Sequence, residues 1–505
     1  MRCERAAFLA TRGVCLLLFA FGAARAQADT APTFSAQIAS SRHKIVIGGK
    51  TLAYTANAGL IPVRHNDDGS VRAHMFFVAY IADRAAGNPP RPLTFAWNGG
   101  PGANSLLLHL SAFGPRRLEG TGHGDSGASV HFVDNLETLL SRTDLVFVDP
   151  VGTGFSRPTD PRFALDFYGV REDIAVTREF IRSYRTRFDA WDAPVYLAGE
   201  SYGTWRAMGT AEAMEQNGEH VAGVILLSGG IPVGPLVSRE MRAALFVPAR
   251  VATAAFHHRL APELQSNPSR GEREAEEWGR TVYVPALLRR DSLSARERSG
   301  VIARLAYFTG LDSSTIDRKT LMVDRRMLLQ NLMKDRGTLG TFDTRQIAHA
   351  PTPYEVSEEM HRWFLITRYL SHELGFHTDL VYQGLELGYS SSTPSRDPNA
   401  EWKWDQGVPG VPLIPTDDGP PGGAAPWVQG TFAVNHRMRV FVGSGRYDSL
   451  NSCALIAYQV SLLERQVRER ISLGCYEGGH MMYEDRGARV DLRRDLGQFF
   501  DAGPH

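Results

Sequence analysis

Apolar and polar positions along this 505-residue chain follow strand-like and helix-like spacings in alternation up to about residue 236. Residues 44–54 and 73–81 are rich in β-branched and aromatic residues and read as strands, with a turn cluster at 66–70. Residues 93–97 form a short apolar run that ends in the glycine-rich turn 98–102, and 106–113 reads as helix. A second apolar run, 145–148, closes at Asp149-Pro150. Helical periodicity covers 169–188; a strand at 195–198 then meets a sharp turn, a helix over 203–217 and a strand at 224–227. Strands alternating with helices predict an α/β fold with a mostly parallel central sheet covered on both faces.

The alternation stops near residue 236, and up to about 430 the chain is polar and mainly helical, as at 284–308, 313–336 and 355–374. Its last part, 390–427, is rich in Pro, Gly, Ser and Trp and reads as a long loop. Strand and helix spacing returns with a strand at 438–445, a helix at 451–468, a strand at 470–474 and a final helix at 487–500. The predicted organisation is a sheet domain in two parts, 27–236 and 431–505, interrupted by a mainly helical cap insertion at 237–430.

The first 26 residues belong to neither. Arg2, Arg5 and Arg12 precede the apolar run 13–23, and Ala24-Arg25-Ala26 supplies a small-x-small site. A charged start, a short apolar centre and that ending are the marks of a secretory signal peptide, and the run is too short to span a bilayer. The expected location is secreted or periplasmic, and no later run is long enough for a membrane span.

At 43% hydrophobic and 22% charged, the composition excludes a disordered, collagen-like or disulfide-scaffold protein. Lys+Arg and Asp+Glu balance at 55 each, which gives no basic excess for nucleic acid. Removing the first 26 residues takes away four Arg and one Glu and leaves 51 cations against 54 anions. It also removes Cys3 and Cys15 and leaves Cys453 and Cys475.

The chemistry falls at the strand ends. Gly199-Glu200-Ser201-Tyr202-Gly203 is G-x-S-x-G between a strand and a helix, the context of a nucleophile elbow. Serine alone is a poor nucleophile and needs a base and a group that orients the base. In this arrangement the acid and the base follow the serine in that order. Asp448 follows the strand at 438–445, and His480 follows the next one. An oxyanion hole needs two backbone N–H groups. Tyr202, next after the serine, offers one, and the loop 97–102 offers the other. That loop fails as a dinucleotide fingerprint, because Ser105 stands where the third glycine belongs. No cofactor is implied.

Four blocks carry a family resemblance. They are Asn98-Gly99-Gly100-Pro101-Gly102, residues 149–156 (DPVGTGFS), Gly199-Glu200-Ser201-Tyr202-Gly203, and Gly479-His480-Met481. In these blocks, and in their order, the sequence resembles the serine carboxypeptidase family, specifically its bacterial secreted branch. The resemblance implies an α/β-hydrolase fold with a helical insertion, and release of C-terminal residues from peptides at acid pH. It implies Ser201, Asp448 and His480 as the triad, and the Gly100 and Tyr202 amides as the oxyanion hole. It implies further that Asn98 and Glu200 bind the substrate's terminal carboxylate, and Met481 is placed to touch the leaving residue. Two carboxylates side by side repel, so Glu200 is expected to be protonated when such a substrate binds.

The chain also departs from the family pattern. Ala112 stands where a second carboxylate-binding acid is usual, Ala96 replaces a tryptophan, and Ala103-Asn104-Ser105 removes a cysteine. Carboxylate recognition is therefore thinner than the triad, and an esterase or acyltransferase is the alternative reading. An inactive binding protein on the same scaffold ranks last. Cys453 and Cys475, each five residues from a triad member, either pair and tie the two triad loops together or are small buried apolar residues. His372 and His377 resemble a zinc pair but are five apart, about 140° around a helix, so no metal site is expected. Trp363, Trp402, Trp404 and Trp427 read as packing residues.

Overall fold

The computed structural model describes residues 38–120, 130–229, 233, 237–348, 353–383, 398–404, 414–416, 419–422 and 427–503. The signal-peptide reading of 1–26 and most of the 390–427 loop lie outside the described residues.

One ten-stranded sheet organises the chain. Its main strands are β1 (Ala39–Ile47), β2 (Lys50–Arg64), β3 (Val71–Ala82), β4 (Leu93–Trp97), β5 (Asp144–Val148), β6 (Val195–Glu200), β7 (Val221–Leu227), β8 (Arg439–Gly445) and β9 (Ile471–Tyr476). In space they run β1-β2-β3-β5-β4-β6-β7-β8-β9, with the short pair Arg157–Pro158 beside β3. The first three strands form an antiparallel meander, and β3 meets β5 antiparallel. From β5 to β9 every pairing is parallel. Every residue of β4, β5 and β6 is buried, as expected where helices cover both faces. This is the α/β-hydrolase fold.

Two apolar clusters line the two faces of the sheet. One includes Phe77, Phe95, Trp97 and helix α1 (Val170–Arg187); the other includes Phe76, Tyr80, Phe147 and Phe499. A third cluster, from Ala244 to Leu339, is a separate core built by helices of the insertion. The later part of the insertion does not join that core. Ile366, Tyr369, Leu374 and Tyr382 pack on one face of the sheet, and Trp427 and Val428 on the other. Trp402 and Trp404 pack around the Tyr202 ring at 5.2 and 5.7 Å, and Trp427 lies 5.9 Å from Trp205.

Several element boundaries differ from the sequence reading, each for a local reason. The strand expected over 44–54 is two strands, because Gly48 and Gly49 take φ of +55° and +77° and turn the chain into a hairpin. The helix expected over 284–308 is broken. A new helix, Ala295–Thr309, starts at Ser294, which forms a capping box with Glu297. Of the helix expected over 313–336, only Arg325–Asn331 forms. Asp317 accepts the Lys319 amide (2.7 Å), a local bond that competes with helix, and Asp324 accepts the Met327 amide (2.6 Å) as the N-cap that starts this helix. The helix expected over 451–468 divides into Cys453–Ser461 and Arg465–Arg468. Among the described residues no helix is long and apolar enough to cross a membrane.

Phe77 is fully buried on β3 and meets Phe180, Tyr184 and Phe188 with ring centroids 6.1, 5.5 and 5.8 Å away. Phe77→Ala is expected to cost about 3–5 kcal/mol in chemical denaturation. Val46→Ala on the exposed edge strand is expected to stay within about 0.5 kcal/mol. Equal effects would contradict this core assignment.

Candidate active site

The loop 98–102, Ser201, Tyr202, Asp448 and His480 follow the C-terminal ends of parallel strands, and Glu200 ends β6, where open α/β sheets bind ligands. Ser201 follows β6 directly, with φ of +56°, and opens helix α2 (Gly203–Glu215). The turn closes so tightly that a Cβ on Gly199 would lie 2.0 Å from the Gly203 carbonyl oxygen. One on Gly203 would lie 2.8 Å from the Asn98 carbonyl oxygen, so both flanking glycines are required. The Ser201 amide donates to the Leu227 carbonyl at 2.9 Å, which fixes the turn to β7.

The loop after β4 lies against this elbow. A Cβ on Gly99 would stand 2.5 Å from the Tyr202 amide nitrogen, so the loop backbone and that amide are neighbours. Gly100, next along, is exposed. The Asn98 side chain is buried; it donates to Glu200 Oε2 at 2.8 Å and accepts the Leu108 amide at 3.0 Å. Arg206 braces the same loop by donating to the Asn98 carbonyl at 2.9 Å. Its Nε donates to both Asp173 oxygens at 2.9 Å, and the Tyr202 hydroxyl donates to Asp173 at 3.1 Å. Ser105 is held through its amide and hydroxyl by Asp149 Oδ1, at 2.9 and 2.8 Å.

Asp448 follows β8 and His480 follows β9. Their side chains meet at 2.8 Å between Asp448 Oδ2 and His480 Nδ1. Asp448 also accepts the Leu450 amide and the Asn451 side-chain amide, both at 2.8 Å. The Ser228 hydroxyl donates to the His480 carbonyl at 2.5 Å. The other ring nitrogen, Nε2, lies 3.3 Å from Glu200 Oε1 and has no aligned hydrogen-bond partner. The imidazole is thus near Glu200 but not bonded to the Ser201 hydroxyl, a contact that apo hydrolases often leave open. Cys453 and Cys475 are joined, with S–S 2.09 Å, and bridge the helix after Asp448 to β9. Met481 is half-buried against the cluster on that face of the sheet.

Ala112 is buried among apolar side chains, and its carbonyl accepts the Asn135 side-chain amide at 2.9 Å. His372 and His377 are both exposed, on either side of Gly375. Two groups escaped the sequence reading. Arg206 looks like an ordinary helical arginine, and only its apolar neighbours on α2 hint at burial. The segment 341–345 approaches the triad through backbone groups, which leave no trace in residue type.

Electrostatics bind the three ionisable groups together. Burial pushes the Glu200 carboxyl up, against the opposing pull of His480 and Asn98. Burial pulls the His480 imidazole down, but the Asp448 and Glu200 carboxylates outweigh it, and the group is pushed up to about 9.

Residues 49–268 match a family model described as serine carboxypeptidase. Pheromone-processing carboxypeptidase KEX1 of Lachancea thermotolerans is 33% identical over 157 residues, 30% of this chain and 20% of that protein. The protein of that name from Saccharomyces cerevisiae is 31% identical over 156 residues, 29% of this chain and 20% of its own. A carboxypeptidase Y homolog of Arthroderma benhamiae is 35% identical over 114 residues, 22% of this chain and 20% of its own. The likeness to serine carboxypeptidases in sequence is thus carried by residues 49–268. The alignments cover about a fifth of the length of these curated relatives. The likeness in fold is broader. The crystal structure of KEX1(delta)p, a prohormone-processing carboxypeptidase from Saccharomyces cerevisiae, matches with a TM-score of 0.54 at 15% identity, over 89% of this chain and 92% of that one. The matched segment carries Asn98, Gly100, Glu200, Ser201 and Tyr202, whereas Asp448 and His480 lie beyond it.

The His480 value lies above the ordinary imidazole value of about 6.5. The stability this group contributes is therefore complete below that pH and is lost as pH rises through about 9. Glu200→Gln keeps an acceptor for Asn98 and removes one of the two charges on the imidazole. NMR titration is expected to find His480 in that variant shifted down from about 9 toward its ordinary value. An unchanged titration would show that Glu200 is not ionised beside it.

Proposed function

We propose that this chain is an exported serine carboxypeptidase that releases C-terminal amino acids from peptides through an acyl-enzyme. The observation that carries the reading is Glu200. It is buried, bonded by Asn98, 3.3 Å from the free nitrogen of the imidazole, and next to the elbow serine. A carboxyl in that position has little value to a general esterase, whereas a substrate ending in a carboxylate needs a protonated partner there. Export rests on the signal-like pattern of residues 1–26.

In the proposed sequence the Ser201 hydroxyl oxygen attacks the carbonyl carbon of the last peptide bond, and His480 Nε2 takes its proton. The Gly100 and Tyr202 amides hold the developing oxyanion. As the C–N bond breaks, His480 returns the proton to the leaving amine, and water then hydrolyses the acyl-enzyme by the same relay. Asp448 orients the imidazole and stabilises its charged form. Asn98 and protonated Glu200 hold the terminal carboxylate, with Met481 beside the leaving residue. The insertion core from Ala244 to Leu339 forms the cap.

Glu200 and His480 must then share one proton. With two, the imidazole is charged and cannot act as base; with none, Glu200 repels the substrate carboxylate. The raised Glu200 value sets the acid limb, and the His480 value, about 9 in the free enzyme, sets the alkaline one. The acid optimum implied by the family resemblance requires the alkaline limb to fall well below that value. One specific observation favours a second reading, an esterase or acyltransferase: Ala112, buried in apolar surroundings, supplies no second acid.

Blocked dipeptides and their amides, assayed from pH 4 to 10, separate these readings. Free acids are expected to release an amino acid, with kcat/KM falling on the alkaline side. The amides, which need no proton on Glu200, should not show that fall. Ser201→Ala is expected to lower kcat/KM about ten-thousandfold or more. Ester turnover without amino-acid release would favour the second reading, and matching profiles for acids and amides would remove Glu200 from carboxylate recognition.

A further inference from the structure

A hairpin of the insertion reaches the triad. Thr338–Leu339 pairs antiparallel with Ile347–Ala348, and the loop between them is clamped on several sides. The Phe342 carbonyl accepts the His480 amide at 2.6 Å. The Thr344 amide and hydroxyl donate to the Tyr447 carbonyl, at 3.0 and 3.1 Å, immediately before Asp448. The Ser449 hydroxyl donates to the Thr341 carbonyl, immediately after it. On the cap side, Thr344 bonds Thr253 at 2.8 Å and its carbonyl bonds the His257 ring at 2.7 Å. Arg345 ties Asp343 to Asp485 at 2.7 and 3.2 Å, next to the start of the C-terminal helix. The fit is close enough that a Cβ on Gly479 would lie 2.6 Å from both Asp343 Cβ and the Phe342 carbonyl.

This fastening fixes the Phe342 backbone but does not bury its ring. The ring is 52% exposed, and its centroid lies 5.3 Å from that of His480, tilted 42°. Hairpin tips are ordinarily polar, and one apolar residue on a surface needs no explanation. Here, however, seven polar fastenings hold the segment that carries the ring beside the very imidazole whose proton transfers define the scissile bond, and among the described residues the ring stays half exposed.

We propose that Phe342 is a specificity-determining residue whose exposed face receives an apolar substrate side chain next to the scissile bond. The inference rests on the acyl-enzyme reading above. The segment 341–345 joins the acid loop, the base loop and the cap, so the ring keeps its position relative to His480 whenever the acid–base pair is in place. Covering the ring with a substrate side chain removes apolar surface from water on both partners, which rewards Leu or Phe over Gly.

The test compares wild type, Phe342→Ala and Phe342→Leu on N-blocked dipeptides carrying Phe, Leu or Gly on either side of the scissile bond. Aryl esters of the same N-blocked amino acids are run in parallel. Phe342→Ala is expected to lower kcat/KM about tenfold for Phe and Leu at one of the two positions and to leave Gly there within about twofold. Phe342→Leu should fall between. The backbone bond to His480 survives both changes, so the His480 titration should stay at its wild-type value. Equal loss across all side chains, or none, overturns the proposal. Amino-acid release absent but ester turnover present sinks the carboxypeptidase reading alone, because the esters still report side-chain selectivity. A wild type inactive toward both overturns both.

Discussion

Two buried carboxylates flank one buried imidazole, and most of the local architecture follows from holding that arrangement together. Glu200, His480 and Asp448 are each no more than 3% exposed. Taking one such charge out of water costs several kcal/mol after relaxation. The array persists because its charges alternate in sign and its lone pairs are used: Asp448 accepts from Leu450, Asn451 and His480, and Glu200 accepts from Asn98. Two strained residues lie beside it. Ser201 and Ser228, directly after β6 and β7, both carry left-handed φ, of 56° and 46°. Conformations of that kind cost of order 1–3 kcal/mol each and last only where the surroundings enforce them. Here the enforcement is hydrogen bonding across strand ends, from the Ser201 amide to Leu227 and from the Ser228 amide to Gly443.

The other half of the site is held by a second buried charge pair. Arg206 and Asp173 are 1% and 2% exposed, and together they connect the Asn98 carbonyl to the Tyr202 hydroxyl. The loop that offers the Gly100 amide and the elbow that offers the Tyr202 amide are thus braced through one guanidinium. A planar fork with fixed donor directions suits that task, and a lysine would not replace it. Asp149 performs a similar service further along, where it anchors Ser105 and lets the chain leave the loop into the helical turn Leu108–Phe113. The candidate site, assembled from four strand ends, therefore depends on the buried three-group array and on one further buried ion pair.

The readable parts of the sequence were those where one residue type has one physical use. Buried parallel strands appear as continuous apolar runs, so β4 to β7 were legible. The elbow glycines were legible because nothing else fits 2.0 Å from a carbonyl oxygen. Gly48-Gly49 was read through as strand, although two successive glycines between β-branched runs are a hairpin signal. Ser294 and Glu297 announced a helix start that the apolar periodicity over 284–308 concealed. The segment 341–345 could not be found at all. Its hold on the catalytic loops is made by the carbonyls of Phe342 and Thr341 and the amide of Thr344, and every residue type has those groups. Nor could the sequence reveal that Glu200, bonded by Asn98, would face His480 Nε2 in the free protein.

That last contact bears on how few acids the site contains. With two carboxyls around a substrate carboxylate, a proton can be shared between the acids and the imidazole left out of the exchange. Ala112 withholds the second acid here, so in the proposed reading the proton that neutralises Glu200 is the one His480 would otherwise keep. Before substrate binds, the imidazolium is favoured by Asp448 and Glu200 together. In the proposed reading, a carboxylate placed against Glu200 raises its proton affinity and draws the proton from the imidazole without any proton entering from solvent. Below about pH 9 the imidazole then becomes neutral, and able to accept the Ser201 proton, once a chain terminus is in place. A substrate without a terminal carboxylate leaves the imidazole charged up to about pH 9, and the serine gains its base only as pH approaches that value. In that reading a single acid couples recognition of the chain end to activation of the base, a coupling that two acids would weaken.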